Sequence, residues 1–447
     1  MLAFALAVVL FAYSAAGLGL TGKLPGLPVD FLVFAAVMLA AHLAVRRFAP
    51  YADPLLLPLA VLLNGLGLVM IYRLVQSGRG GNPGYQVAGL PPTAATSQLL
   101  YSGVGVVAMV AVLVLISEPR VLQRYTYTLG ALGLLLLALP AMLPASHSVV
   151  NGAKVWIIFG GFSVEPGEFA RLALAVFFAG YLVAKRDALA LAGSRVAGID
   201  LPRARDLGPV LAAWAASLLI LIFETDIGTS ALFFGMFVVM LYIATQRTSW
   251  LLIGVTLFLG GSYLTALMFH HVMERFTVWL HPFMGSNPTG IAYQPVQALE
   301  GMAFGGLFGT GLGAGQPYHT PLVQSDFIFA AFGEELGLVG VMALLLVFGL
   351  LVQRGLRAAL AAKDPFSKLL VGGLSFVLAL QVFVIVGGVT GLIPLTGITT
   401  PFLSQGGSSL VASWILIGVL IRVSNTARKP APQPIQDEGM TQVVRAA

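Results

Sequence analysis

Apolar residues in this chain come in long runs instead of alternating with polar ones. Twelve such runs follow one another, at 1–20, 30–47, 54–74, 97–117, 121–143, 163–184, 208–224, 228–246, 249–270, 327–352, 367–390 and 404–423. Each has about the length needed to cross a hydrocarbon core of about 30 Å as a helix. Membrane-spanning strands would be shorter and would alternate polar with apolar positions. The pattern therefore predicts an all-α, polytopic integral membrane protein with about twelve transmembrane helices. The first run lacks a basic leader and a small-residue cleavage site, so a retained helix is expected there. The expected organisation is two N-terminal helices within 1–50, a membrane core over 51–423 with a long loop at 271–325, and a polar tail at 424–447. The tail, with its RKPAPQPIQDEG wording, has the composition of a disordered segment. No internal repeat stands out.

Composition sharpens this picture. Hydrophobic residues make up 58% of the chain and charged ones only 9%, and there is no cysteine, which excludes disulfide and thiol chemistry. The net charge of +6 needs no nucleic-acid partner, because basic residues cluster at the ends of the spans. One set of loops and ends carries 18 of the 24 Lys and Arg residues and the opposite set carries 6, so the first set and both termini are expected on the cytoplasmic side. Parity then places every motif-like stretch on the outer side: 151–168, 224–228, 271–325 and 390–409. A transporter usually gathers its polar groups near the midplane, so a surface-facing set points to work at the outer leaflet.

The densest of these stretches is HTPLVQSDFIFAAFGEELGLVG, at 319–340. It brings Asp326, Glu334 and Glu335 close to one helix start, where a membrane-embedded charge costs about 2.5–3.5 kcal/mol near the bilayer centre. On an uninterrupted helix Glu334 would sit about 12 Å deeper than Asp326, with Glu335 on nearly the opposite face. Asp326 reads either as a helix N-cap or as a reactive carboxylate. NGAKVWIIFGGFSVEPGE, at 151–168, is too short and polar to span and fits a re-entrant or interfacial segment. Its Trp156 is an aromatic anchor or a substrate contact. Glu168 and Arg171, three apart on a helix start, can pair, or Arg171 can hold a phosphate. Asp226, in FETDIG, is a turn residue or a cation ligand. The stretch 301–315 holds seven glycines, which make a flexible loop or allow a large substrate close to the backbone. PLTGITTPFLSQGGSS, at 394–409, reads as a hydroxyl-lined re-entrant turn, or as a loop whose Ser and Thr satisfy backbone groups.

Taken together and in this order, NGAKVW, VEPGEFARL, ETDIGTS, SDFIFAAFGEELGLVG and PLTGITTPFLSQGGSS resemble the signatures of the SEDS family of RodA and FtsW, over about 53–423. The wording AVRRFAPYADPLLLP is most like actinobacterial RodA-type members. The helices at 1–20 and 30–47 precede the ten spans usual in that family. The resemblance implies a peptidoglycan glycosyltransferase that joins lipid II units into β-1,4 glycan at the outer face of the membrane, with inversion, during cell elongation or shape maintenance. It places the essential aspartate at Asp326, with Trp156, Glu168, Arg171 and Asp226 at further family positions. Asn151 and Lys154, and Thr400, Ser404, Gly406, Gly407, Ser408 and Ser409, fall within the same signatures and are candidates for substrate binding. Arg171 stands where the family commonly has lysine, Gly167 where serine is usual, and Gln405 where tyrosine is frequent. A divalent cation, Mg²⁺ or Mn²⁺, near Asp226 is expected to help the leaving pyrophosphate, and no organic cofactor is implied. The chain has no S-x-x-K serine motif and no large extracellular domain, so the resemblance implies a class B penicillin-binding protein as crosslinking partner. A lipid-linked oligosaccharide flippase or transporter, and a non-catalytic scaffold, are the alternatives.

Overall fold

A computed structural model describes residues 1–23, 29–77, 87, 90–149, 154–160, 162–190, 192–196, 199–202, 211–212, 215–216, 219 and 227–430. Within a bilayer no water satisfies the backbone, so apolar runs close their hydrogen bonds internally as helices. The long helices are α1 (Leu2–Thr21), α2 (Val29–Phe48), α3 (Leu56–Ser77), α4 (Ala94–Leu115), α5 (Thr126–Met142) and α6 (Pro166–Ala190). They continue with α7 (Ile227–Thr245), α8 (Ser249–Met268), α11 (Ile328–Ala361), α12 (Pro365–Val389) and α13 (Gly407–Arg428), while the shorter α9 (His270–Leu280) and α10 (Tyr293–Gly305) lie in the long loop. Eleven helices among the described residues are long and apolar enough to cross a membrane. The twelfth expected span, 208–224, and the tail from 431 onward lie wholly or mostly outside the described residues.

Burial separates the centre of the bundle from its rim. In the most apolar window of α3, 78% of positions are buried, and α12 follows with 72%; in α2 and α8 the share is 22%. Helix α3 is packed on most sides, with Asn64 accepting a hydrogen bond from the Trp414 indole at 3.1 Å. Tyr13 of α1 stacks against Tyr72 of α3 with ring centroids 4.4 Å apart.

The bundle has two chemically different ends. At the basic end Arg422 reaches across to the carbonyls of Phe48, Leu113 and Ile116, which are the last acceptors of α2 and α4. Helix ends leave such carbonyls without partners, and a cation there also suits the helix dipole. Asp53 is buried beside them and pairs with Arg428 at 2.5 Å and Arg354 at 3.6 Å. All the motif stretches that are described gather at the opposite end. The stretch after Lys154 is the one expected to be a re-entrant or interfacial segment. It forms a short antiparallel hairpin of β1 (Ile157–Phe159) and β2 (Phe162–Val164), which leads directly into α6 at Pro166. A second hairpin, β3 (Ala192–Val196) with β4 (Ile199–Pro202), follows α6 at the other end.

Candidate active site

The site is built on a helix that breaks. Helix α11 contains Gly337 at φ 68° and ψ −171°, a conformation glycine adopts without a side-chain penalty. The expectation of one uninterrupted helix below Asp326 is thus corrected. In a continuous helix Leu338 and Val339 would donate to the carbonyls of Glu334 and Glu335. Here they donate to Gly306 and Leu307 at 3.0 and 3.1 Å, while Thr310 and Gly311 of the glycine-rich loop donate to Glu334 and Glu335 at 3.0 and 2.9 Å. Two successive turns have exchanged acceptors, so the break leaves none of these groups unpaired.

The two carboxylates complete the clamp. Both are buried. The Glu335 carboxylate pairs with Arg73 of α3 and accepts from the Gly313 amide at 3.0 Å. Glu334 accepts from the Gln316 amide at 2.5 Å, and Arg73 also donates to the Gly315 carbonyl at 2.5 Å. Acidic side chains in an apolar helix here hold a loop that has few side chains of its own.

Asp326 sits just before α11. The cap position itself belongs to Phe327, one residue later. Asp326 is half-buried and faces Gly397 of the 394–409 loop. A Cβ placed on Gly397 would lie 3.8 Å from Asp326 Oδ2 and 3.9 Å from Arg275 Nη1, so carboxylate and guanidinium converge on one point. Arg275, on α9, is held there by donating to the Leu395 and Thr396 carbonyls at 3.2 and 3.1 Å. Beneath, Ser404 donates its hydroxyl to the Ser325 carbonyl at 2.6 Å and accepts from the Thr400 amide at 2.8 Å. Gln405 donates its amide to the Gln324 carbonyl at 2.8 Å, which fastens the loop to the backbone beside Asp326.

A neighbouring cavity is lined by Glu168, Arg171, Gln381, Pro401, Phe402 and Ser413. Glu168 and Arg171 form the ion pair their spacing predicts. Arg171 also donates to Gln381 Oε1 at 2.5 Å, and Gln381 passes the connection on through its amide to the Thr399 carbonyl at 3.0 Å. Ser408 accepts from the Glu165 amide at 2.9 Å, which ties the start of α6 to the start of α13.

The structure thus brings Asp326, Glu168, Arg171, Thr400, Ser404 and Ser408 around one loop. Thr400 and Ser409 are buried, and their hydroxyls find no partner among the described residues. Gly406 precedes the first turn of α13, and Gly407 packs so closely on Tyr101 that a Cβ would lie 2.8 Å from the ring. Lys154 donates to the Ala141 carbonyl at 2.8 Å, and Trp156 is half-buried before β1, so both stand with the hairpin. Asn151 and Asp226 lie outside the described residues, and among the described ones no group of three His, Asp or Glu side chains forms a metal cage. Sequence reading missed Gln381 and Arg275. A lone amide in an apolar span is costly enough to have marked the first. Arg275 was one of only six basic residues on its side, but no motif surrounds it.

A model of cell cycle proteins of the FtsW, RodA and SpoVE type matches residues 54–429. The peptidoglycan glycosyltransferase RodA of Mycobacterium tuberculosis is 50% identical over 413 residues, 91% of this chain and 86% of that protein. The stage V sporulation protein E of Bacillus subtilis is 34% identical over 84% of this chain and 98% of its own length. Among solved structures, the rod shape determining protein RodA of Thermus thermophilus superposes with a TM-score of 0.56 at 24% identity, over 85% of this chain and 98% of that one. A chain from a peptidoglycan synthase complex that coordinates polymerization and crosslinking gives 0.55 at 23% identity, over 89% and 97%. These last two likenesses are of fold.

Proposed function

This chain belongs to the FtsW, RodA and SpoVE family of cell cycle proteins, and on that premise we propose how it works as a peptidoglycan glycosyltransferase in a bacterial membrane. Its substrate is lipid II, met at the motif end of the bundle, which faces away from the cytoplasm. The 18-to-6 asymmetry of Lys and Arg supports that orientation, with both termini inside.

In the reaction Asp326 takes the proton from the 4-hydroxyl of the acceptor sugar. That oxygen attacks the anomeric carbon of the growing chain from the face opposite the pyrophosphate. The carbon–oxygen bond to the phosphate breaks, and undecaprenyl pyrophosphate leaves with the electron pair. One displacement inverts α to β. Arg275 beside Asp326, and Arg171 on the far side of the 394–409 loop, supply positive charge for the departing pyrophosphate; the guanidinium fork suits phosphate oxygens. Arg171 must loosen its hold on Glu168 or Gln381 to do so. A divalent cation near Asp226, a residue outside the described ones, would add positive charge for the departing pyrophosphate, and none of these steps runs through it. The observation that carries the assignment is the convergence of Asp326 and Arg275 on Gly397.

Crosslinking is assigned to a separate class B penicillin-binding protein, and the fold likeness to a chain of a peptidoglycan synthase complex supports such an assembly. The decisive test is polymerisation of lipid II by purified chain and by Asp326→Asn. The asparagine keeps the shape but cannot take the proton, so the rate should fall by about a hundredfold or more while the variant folds and binds its partner. Long glycan strands made by Asp326→Asn at near wild-type rate would falsify the assignment.

A further inference from the structure

Helix α1 lies outside the residues matched by the family model, yet it touches the clamp that holds the broken helix. A Cβ built on Gly19 would stand 2.3 Å from the Leu312 carbonyl oxygen and 3.1 Å from Gly313 Cα. Reciprocally, a Cβ on Gly313 would stand 2.5 Å from the Ala16 carbonyl oxygen and 3.1 Å from the Leu20 nitrogen. Backbone meets backbone here, with no flexible side chain between them to absorb a shift.

From this contact we infer that α1 is part of the working enzyme and that Gly19 is a positioning residue, which sets the seat of the glycine-rich loop. The inference rests on the polymerase reading above. The loop relays the position onward: Thr310 and Gly311 hold the carbonyls of Glu334 and Glu335, and Gly313 and Gln316 hold their carboxylates. Above the break, residues 328–336 form a short helix directly after Asp326, and its link to the rest of α11 runs through this loop. On its other side α10 presses equally close, since a Cβ on Gly305 would lie 2.2 Å from the Gly333 carbonyl. The segment carrying Asp326 is therefore located by α10 and the loop together, and the loop rests on α1. The outer surface of α1, with Phe4 and Phe11 exposed, has the character of a lipid-facing wall, while its inner face packs on α3 through Val9 and Tyr13; neither by itself requires any particular residue at 19.

The test compares wild type, Gly19→Ala, Phe11→Ala and Asp326→Asn in a lipid II polymerisation assay, with hydrogen exchange read along the chain. Gly19→Ala should lower kcat by about ten- to a hundredfold at nearly unchanged KM, since a small misplacement costs that much. Exchange should quicken at residues 310–313 and 338–339 and stay as in wild type within α7 and α12. Phe11→Ala should behave as wild type. Unchanged exchange in Gly19→Ala, a wild-type rate despite quickened exchange, or quickened exchange throughout the bundle would each overturn the inference. Should Gly19→Ala fail to fold, Ala16→Gly, one turn earlier on the same helix, loosens the same seat; it should show the same local exchange and a smaller loss of kcat, and wild-type behaviour would overturn the inference equally. A wild-type chain that makes no polymer would instead defeat the polymerase reading, and the exchange arm would still report on the seat.

Discussion

Arg73 and Glu335 offer the sharpest energetic test. Their side chains are 1% and 0% exposed, and each also holds one backbone group of the glycine-rich loop, the Gly315 carbonyl and the Gly313 amide. Replacing Arg73 by Met leaves a buried carboxylate with one amide for company, which costs about 3–5 kcal/mol. Replacing Glu335 by Met leaves the guanidinium stranded at a similar cost. In the double variant neither charge of the pair remains, and of the groups the pair held only the Gly313 amide and the Gly315 carbonyl lose partners, at about 1–3 kcal/mol each. The double variant should therefore be more stable than the sum of the single losses by about 4 kcal/mol. Unfolding in mixed micelles by SDS titration, followed by tryptophan fluorescence, measures all corners of the cycle. Additive losses, or an Arg73→Met protein as stable as wild type, would show that the pair does not hold the loop. Activity gives a second reading, because even the stabler double variant has lost the loop's anchors and should polymerise slowly.

Two further outcomes follow from the site and the fold. Arg171→Ala should slow polymerisation strongly and Arg171→Lys less, because an ammonium keeps the charge but cannot serve Glu168 and Gln381 through one planar fork; normal polymer from Arg171→Ala would leave Arg171 as only the partner of Glu168. In this cysteine-free chain, Ser286→Cys should react with an impermeant thiol reagent added outside intact cells and Ser194→Cys should not, and the reverse pattern would turn the bundle over.

Much of this architecture could be read from the chain. Spans are legible because the bilayer demands long apolar runs, and eleven of the twelve expected appear among the described residues. The gathering of 319–340 with 394–409 followed from counting crossings and basic residues. What the sequence hid depends on contacts distant along the chain. Gly337 sits in the apolar wording LGLVG, where a glycine is tolerated in a regular helix, and only Gly306 and Leu307, some thirty residues earlier, supply the acceptors that make a break affordable. Glu334 and Glu335 drew attention as costly charges, but their partners Arg73, Gly313 and Gln316 come from another helix and a loop. Several hydroxyls of 394–409 serve the backbone, as Ser404 and Ser408 do, and a Ser in a loop does not reveal which carbonyl or amide it will meet.

The exchanged hydrogen bonds between 306–311 and 334–339 act on chain length as a reading frame acts on a message. Adding or deleting one residue at 308 or 309 would move every later amide of the loop past its carbonyl. The bonds from Thr310 and Gly311 would go out of step with those that Gly306 and Leu307 accept, each leaving buried groups at about 1–3 kcal/mol. A substitution can be absorbed locally, but a change of length cannot, because the partner segment lies inside a membrane helix with no slack to follow. Of the long loop, residues 281–292 are largely exposed and can lengthen or shorten freely, while the few residues from Gly306 to Gly311 are fixed in number.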